Sequence, residues 1–318
     1  MATPRRLSAS PKYYLHFLVM SLPILPPYLK PGDLLRVIAP SGALREMEAF
    51  HQGVEIWKAR GYRVEIPSDI DDKHGYLAGT DIHRHQQLAT AWEDPECRGI
   101  LCARGGFGCT RILEDWTWPE NIIPPKWLIG FSDITALLWS LYNAGIASVH
   151  GPVLTTLANE PEWSIQRLFD IVEGRSLTPL KGKGWGGGTS TGILLPGNLT
   201  VATHLLATPI FPNLDGVILA LEDVTEAPYR IDRMLTQWRL SGILSKVRGI
   251  ALGGFTKCDP PPNVPSLGIE EVLKERLAGL GIPIVSDLPF GHDSPNAALP
   301  VRMMVTLDGE KGILNINK

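Results

Sequence analysis

From Leu34 onward, short apolar bursts alternate with longer amphipathic stretches, the pattern of buried parallel strands joined by crossover helices. Leu34–Ala39, Tyr62–Ile66, Gly99–Ala103, Trp127–Ile129 and Ala147–His150 read as strands. Residues 44–60, 81–92 and 111–115 read as helices, with a turn at Pro40-Ser41-Gly42. After a helix at Pro161–Val172 comes the most glycine-dense tract, residues 181–188, whose composition predicts a flexible connection. Beyond it Gly216–Leu221, Gly249–Leu252, Pro283–Ser286 and Val301–Leu307 are mixed with helices at Leu199–Ala207, Tyr229–Ser241 and Ile269–Leu280, which predicts a second α/β domain. The expected organisation is an extension at 1–27, an N-terminal α/β domain at 28–172, a glycine-rich linker at 173–192 and a C-terminal α/β domain at 193–318.

The pattern changes most abruptly at 127–135, where an apolar run stops at Ser132 and a helix begins. A serine on a strand-to-helix corner presents its hydroxyl at the sheet edge, beside free amides of the helix N-terminus that can meet a developing oxyanion. Gly130 and Ser132 match the hydrolase elbow G-x-S-x-G, but position 134 is Ile. Ser132 also fits a plain N-cap followed by Asp133 and an apolar helix, so the local pattern leaves both roles open.

Size and charge narrow the partners. With 318 residues, 44% hydrophobic content and a net charge of -3, the chain can bury a large core, and it carries no basic stripe for nucleic acid or anionic membrane. Small molecules are the expected partners. Cys97, Cys102, Cys109 and Cys258 lack C-x-x-C spacing and read as free thiols of a reducing, cytoplasmic compartment; no metal-ligand spacing and no cofactor motif is present. Arg5, Arg6 and Lys12 before the apolar Tyr13–Leu25 mimic a signal peptide, but no small-x-small cleavage site follows, and the run falls short of the roughly 20 residues that span a bilayer. Met20 offers an alternative start.

A nucleophilic serine needs a histidine base held by a carboxylate. His16, His51, His74, His83, His85 and His204 lie in the tail or on helix and loop patterns, whereas His150 closes the run Ala147–His150 and His292 lies just past Pro283–Ser286, at strand ends where open α/β sheets place active residues; His150 equally fits a polar residue that closes a strand and bonds nearby backbone. Gly291 beside His292 permits close backbone approach. Carboxylates concentrate at Glu222, Asp223 and Glu226 after Gly216–Leu221, with Glu222 the first side chain beyond the strand. Asp223 and Glu226 equally suit the flank of the helix that starts near Tyr229. Arg104-Gly105-Gly106-Phe107-Gly108 follows a strand and can turn amides inward; with a nucleophile at Ser132, the amides of Gly106 and Asp133 would form the oxyanion hole. It is not a dinucleotide fingerprint, since the third glycine position falls at Arg111. Arg104, Arg230 and Arg233 are candidate partners for a substrate carboxylate.

Together these segments resemble the L,D-carboxypeptidase family of serine peptidases, which includes muramoyltetrapeptide carboxypeptidases and microcin C immunity proteins. The resemblance runs from about Tyr28. It rests on Ile38-Ala39-Pro40-Ser41-Gly42, Tyr76 to Asp81, Cys102 to Gly108, Gly130 to Thr135, His150-Gly151-Pro152, Gly197-Asn198-Leu199, Leu221-Glu222-Asp223, Ala227 to Arg230, and Gly291-His292 with Asn296 and Leu299-Pro300. It implies a Ser-Glu-His triad on Ser132, Glu222 and His292. It also implies a Rossmann-like or flavodoxin-like parallel-sheet domain followed by an α/β domain with its own sheet, and a homodimer that removes D-alanine from murein tetrapeptides. Phe131 and Phe107 stand where tyrosine is frequent in such proteins.

Two rival readings remain at this level. The microcin-immunity branch cleaves an amide in a peptide-nucleotide compound, and Trp185 could stack a nucleobase or simply anchor its loop. A non-catalytic binder of cell-wall peptides would use the same cleft.

Overall fold

The computed structural model describes residues 23–119, 124–260 and 262–317. Most of the extension expected at 1–27 lies outside them, but its last residues belong to the fold. The Ile24 amide donates to Gly145 O at 2.9 Å, and the Ala147 amide donates to Ile24 O at 3.0 Å. Trp127 Nε1 donates to Pro27 O at 3.0 Å.

In chain order the first elements are β1 (Leu34–Ile38), α1 (Met47–Ala59), β2 (Arg63–Glu65), α2 (Asp81–Glu93), β3 (Cys97–Cys102), α3 (Cys109–Ile112), β4 (Trp127–Gly130), α4 (Thr135–Asn143), β5 (Ser148–His150), α5 (Leu154–Leu157) and α6 (Glu162–Val172). There follow β6 (Leu180–Lys181), β7 (Lys183–Gly184), β8 (Thr189–Asn198), α7 (Leu199–His204), β9 (Val217–Val224), α8 (Pro228–Leu240), β10 (Gly249–Thr256), α9 (Ile269–Leu277), β11 (Ile284–Ser286), β12 (Leu299–Val301), β13 (Met304–Asp308) and β14 (Ile313–Ile316).

The first sheet has the order β12-β5-β4-β3-β1-β2. Its strands are parallel except β12, which runs antiparallel to β5. Burial on both faces explains why β1, β3 and β4 read as unbroken apolar runs. The run read as one strand at Val301–Leu307 is instead divided at Arg302, which has φ 69°. Its first part joins Leu299 and Pro300 in the first sheet, and its second part lies in the other.

The second sheet has the order β6-β14-β13-β8-β9-β10-β11-β7, with β8 to β11 parallel and the flanking pairs antiparallel. Here the linker reading of 173–192 is corrected. β6 and β7 stand at opposite edges of the sheet yet are separated only by Gly182, so the sheet curls until its edges meet. A Cβ at Gly182 would collide with the carbonyl oxygen of Ser286. Glycine is needed there for close backbone approach in a closed seam, not for flexibility.

Helix α4 joins the two halves. Its residues from Ala136 to Trp139 are apolar without a break, as befits a helix buried all round, and Leu137, Leu138, Trp139 and Leu141 are fully buried. Trp139 Nε1 donates to Pro196 O at 2.8 Å, and Thr135 Oγ1 accepts the Asn198 amide at 3.0 Å. The helix that starts beside Ser132 is thereby pinned to β8. No helix among the described residues is long and apolar enough to cross a membrane. The four cysteines are free and buried. Trp139→Ala is expected to cost roughly 3–5 kcal/mol, measured as a lower midpoint in urea unfolding; a loss under about 1 kcal/mol would contradict the pinning role.

Candidate active site

Ser132 directly follows β4 and Phe131, at φ 64°, a left-handed backbone that a non-glycine residue adopts only under constraint. The constraint is the next residue. The Asp133 carboxylate is buried, and its Oδ2 accepts from Ser41 Oγ at 2.7 Å and from the Cys109 amide at 2.9 Å. Burial raises the Asp133 pKa, and the two hydrogen bonds oppose that shift. The β1 turn, the start of α3 and the Ser132 corner are tied through one carboxylate. Ser41 is not among the site residues expected from sequence; its signal is the Pro-Ser-Gly turn at the end of β1, on the same sheet edge as Ser132.

His292 arrives from the second half, on the loop between β11 and β12. Its Nε2 lies 3.0 Å from Ser132 Oγ and its Nδ1 lies 2.6 Å from Glu222 Oε2. Glu222 is fully buried and lies inside β9, not past its end: β8 and β10 continue the pairing, through Asn198 opposite Glu222 and Phe255 opposite Asp223. Gly291 has φ 128°, and a Cβ there would sit 3.2 Å from Glu222 Cβ, so glycine lets the histidine loop close on the carboxylate. Asn296 Oδ1 holds that loop by accepting the Gly291 amide at 3.1 Å. Phe131 packs against His292 with ring centroids 4.8 Å apart, a contact that needs the ring and no hydroxyl.

The remaining expected residues separate into groups. The glycine loop lies against the serine: a Cβ on Gly105 would meet Ser132 Cβ at 3.0 Å and Oγ at 3.1 Å. Among the described residues, the amides of Gly106 and Asp133 have no hydrogen-bond acceptor. Arg104 lies on this loop and pairs with Glu46 at 3.1 Å. Arg230 and Arg233 instead face the ring of exposed Tyr229, with Arg230 3.6 Å from Glu226, and no contact joins them to Ser132, His292 or Glu222. Trp185 takes the anchoring role: Nε1 donates to Ser286 Oγ at 2.9 Å, its amide bonds Ile284 O, and its ring packs on the core. Asp223 does not flank α8. It receives the Thr200 amide and hydroxyl at 2.9 and 2.7 Å and Asn198 Nδ2 at 3.2 Å, fastening the start of α7. Burial pushes its pKa up to about 6.

His150, the other strand-end histidine, is fully buried, with its ring edge-on to Phe131 and Phe290. Neither ring nitrogen has a hydrogen-bond partner among the described residues. Burial first, and then the nearby His292, pull its pKa down to about 3. Among the described residues no group of three or more His, Cys, Asp or Glu side chains is arranged to hold a metal ion.

Chemically, a serine hydrogen-bonded to a histidine that is hydrogen-bonded to a buried carboxylate, with the glycine loop packed against the serine, has the makeup of a serine hydrolase. The comparisons with known proteins agree with that class. Residues 35–151 match the model of the LD-carboxypeptidase N-terminal domain, and residues 191–307 match the model of the LD-carboxypeptidase C-terminal domain. A Synechocystis sp. protein, provisionally named a carboxypeptidase, is 56% identical over 287 residues, covering 90% of this chain and 95% of its own length. The murein tetrapeptide carboxypeptidase of Pseudomonas aeruginosa is 31% identical over 290 residues, covering 86% and 93%. In three dimensions, muramoyltetrapeptide carboxypeptidase from Oxalobacter formigenes superposes with a TM-score of 0.81 at 29% identity, covering 90% of this chain and 99% of that one. The microcin immunity protein MccF in complex with glutamyl sulfamoyl guanosine shares the fold, with a TM-score of 0.82 at 21% identity, covering 93% and 99%. The chain belongs to the LD-carboxypeptidase family and is a serine carboxypeptidase.

The geometry can be tested at two positions. Gly105→Ala places a methyl group against the serine and is expected to lower kcat about 10- to 100-fold with little change in melting temperature; unchanged kcat contradicts the contact. His150 is neutral when folded and protonated when unfolded between about pH 3 and 6.5, so the unfolded state holds the extra proton there. Stability is therefore lost as pH falls through that window, by roughly 1.4 kcal/mol per pH unit. His150→Leu is expected to remove this slope in unfolding measured from pH 4 to 6; parallel curves for parent and variant count against it.

Proposed function

We propose that this protein is an L,D-carboxypeptidase that releases the terminal D-alanine of murein tetrapeptides, with Ser132 as nucleophile, His292 as base and Glu222 as its orienting carboxylate. The observation that carries the reading is the pair of hydrogen bonds from Ser132 to His292 and from His292 to Glu222, at 3.0 and 2.6 Å. The names of the 31%-identical Pseudomonas relative and of the Oxalobacter structure support murein tetrapeptide as the substrate.

In this mechanism His292 Nε2 takes the Ser132 proton while Oγ attacks the carbonyl before D-alanine. Glu222 accepts from Nδ1 and stabilises the imidazolium. The carbonyl oxygen becomes an oxyanion facing the amides of Gly106 and Asp133. The intermediate collapses as His292 gives its proton to the leaving D-alanine nitrogen, and an acyl group remains on Ser132. Water, deprotonated by His292, then releases the shortened peptide and restores the serine. Arg104 is the preferred partner for the D-alanine carboxylate, since it lies against the glycine loop and its guanidinium has donors left after the Glu46 pair. The buried free thiols fit a cytoplasmic role in recycling cell-wall peptides, and a homodimer goes with the same reading.

A second reading draws on the MccF fold likeness: cleavage of an aminoacyl or peptidyl nucleotide by the same serine. Mass spectrometry of a murein tetrapeptide incubated with the parent protein and with Ser132→Ala separates the two. The expected result is loss of one D-alanine by the parent only. Intact tetrapeptide alongside a cleaved aminoacyl sulfamoyl adenylate would transfer the function to the nucleotide branch.

A further inference from the structure

Arg84 lies on α2 with its side chain fully buried, a costly place for a permanent charge unless its donors are engaged. The guanidinium is used in three directions. Nε donates to Pro40 O at 3.2 Å, Nη1 donates to Gly79 O at 2.8 Å, and Nη2 pairs with Asp81, whose carboxylate also takes Arg111. Asp81 answers the charge. The two carbonyls are a separate matter: they belong to backbone turns, so the fork fixes main chain as well as an ion pair. The first turn, Pro40-Ser41-Gly42, reaches both amides that the mechanism assigns to the oxyanion. Ser41 Oγ donates to Asp133 Oδ2 at 2.7 Å, the Gly42 amide donates to Gly105 O at 3.1 Å, and a Cβ on Gly106 would lie 3.2 Å from Gly42 Cα. The second turn closes on the first, since the Ala78 amide donates to Ser41 O at 3.0 Å.

We propose that Arg84 is a positioning residue for the oxyanion hole: by holding the Pro40 and Gly79 carbonyls it sets the turn whose Ser41 and Gly42 aim the Asp133 and Gly106 amides. The proposal rests on the assignment of those two amides in the mechanism above. Pro40 O, Gly79 O and Asp81 surround a flat group whose donors point in fixed directions, and a lysine ammonium, a single point of charge, cannot replace all three contacts. Oxyanion donors act only when they sit within hydrogen-bond distance of the place where charge develops, so a shift of this turn is felt in catalysis. Because the oxyanion forms only on the way through the reaction, the consequence falls on kcat and not on ground-state binding.

The test compares Arg84→Lys, Ser41→Ala and the double variant on murein tetrapeptide. Each single variant is expected to lower kcat about 10- to 100-fold with KM within about threefold of the parent. The double variant is expected to lose no more than the more damaged single one, because both residues act along one path. A tripeptide aldehyde, which adds to Ser132 and places its oxygen in the hole, is expected to lose affinity by the same factor as kcat/KM. Calorimetric affinity of uncleaved tetrapeptide for Ser132→Ala is expected to stay put when Arg84→Lys is added, whereas general loosening of the fold weakens both ligands. Arg84→Gln takes over if Arg84→Lys shows no cooperative urea transition, and failure of both to fold makes Arg84 a folding residue and overturns the proposal. Parent-level kcat in Arg84→Lys beside a loss in Ser41→Ala, or losses that multiply in the double variant, also overturns it. Parent-level kcat in both single variants instead removes the assignment of the two amides, and the proposal with it. Intact tetrapeptide with the parent is a failure of the substrate reading alone; the same comparison then runs on an aminoacyl sulfamoyl adenylate, whose cleavage by Ser132 passes through an oxyanion at the same place.

Discussion

The hydrogen bond between Ser132 Oγ and His292 Nε2 joins chain segments 160 residues apart and carried by different halves of the molecule. A catalytic constellation has to be held within about half an ångström of its productive geometry, so both halves must be fixed to each other at least that well. Much of the architecture serves that end. Helix α4 is buried between the sheets and starts at the serine corner. The strand after the histidine loop crosses back to pair beside His150, so the loop is anchored on both sides, by β11 in one sheet and β12 in the other.

Polar groups near the site are arranged to hold it rather than to add reactivity. Asp133 restrains the serine backbone through Ser41 and Cys109, and Asp223 secures Asn198 and the start of α7 beside Glu222. Each is a buried carboxylate with several donors, and buried charge persists only under such satisfaction. The strain at Ser132 and the desolvation of these carboxylates are offset by the large apolar cluster that spans both sheets. Stability is thus drawn from the core and concentrated into a fixed geometry at the sheet edge.

The alternation of apolar bursts and amphipathic helices made the two α/β halves readable, because buried parallel strands leave an uninterrupted signal. Ser132 and His292 were also readable, since both stand where apolar runs stop. Glu222 was readable as a residue but misplaced: β9 runs on through it because neighbours on both sides supply hydrogen bonds, which no local pattern reveals. The glycine tract misled for a related reason, since close backbone approach and flexibility select the same residue. Asp223 looked like the flank of the helix next in sequence, whereas its partners Asn198 and Thr200 are distant in the chain. What composition and period cannot carry is the identity of a long-range partner.

If the hydrogen-bonded series works as one unit, removing either end should disable the other. Measuring kcat for Ser132→Ala, His292→Ala and the double variant on murein tetrapeptide tests this most directly. Each single variant is predicted to lose nearly as much as the double, on the order of 10⁴- to 10⁶-fold, because neither group acts without its partner. Independent losses that multiply in the double variant would contradict the account, since Ser132 and His292 would then contribute separately and not through the bond between them.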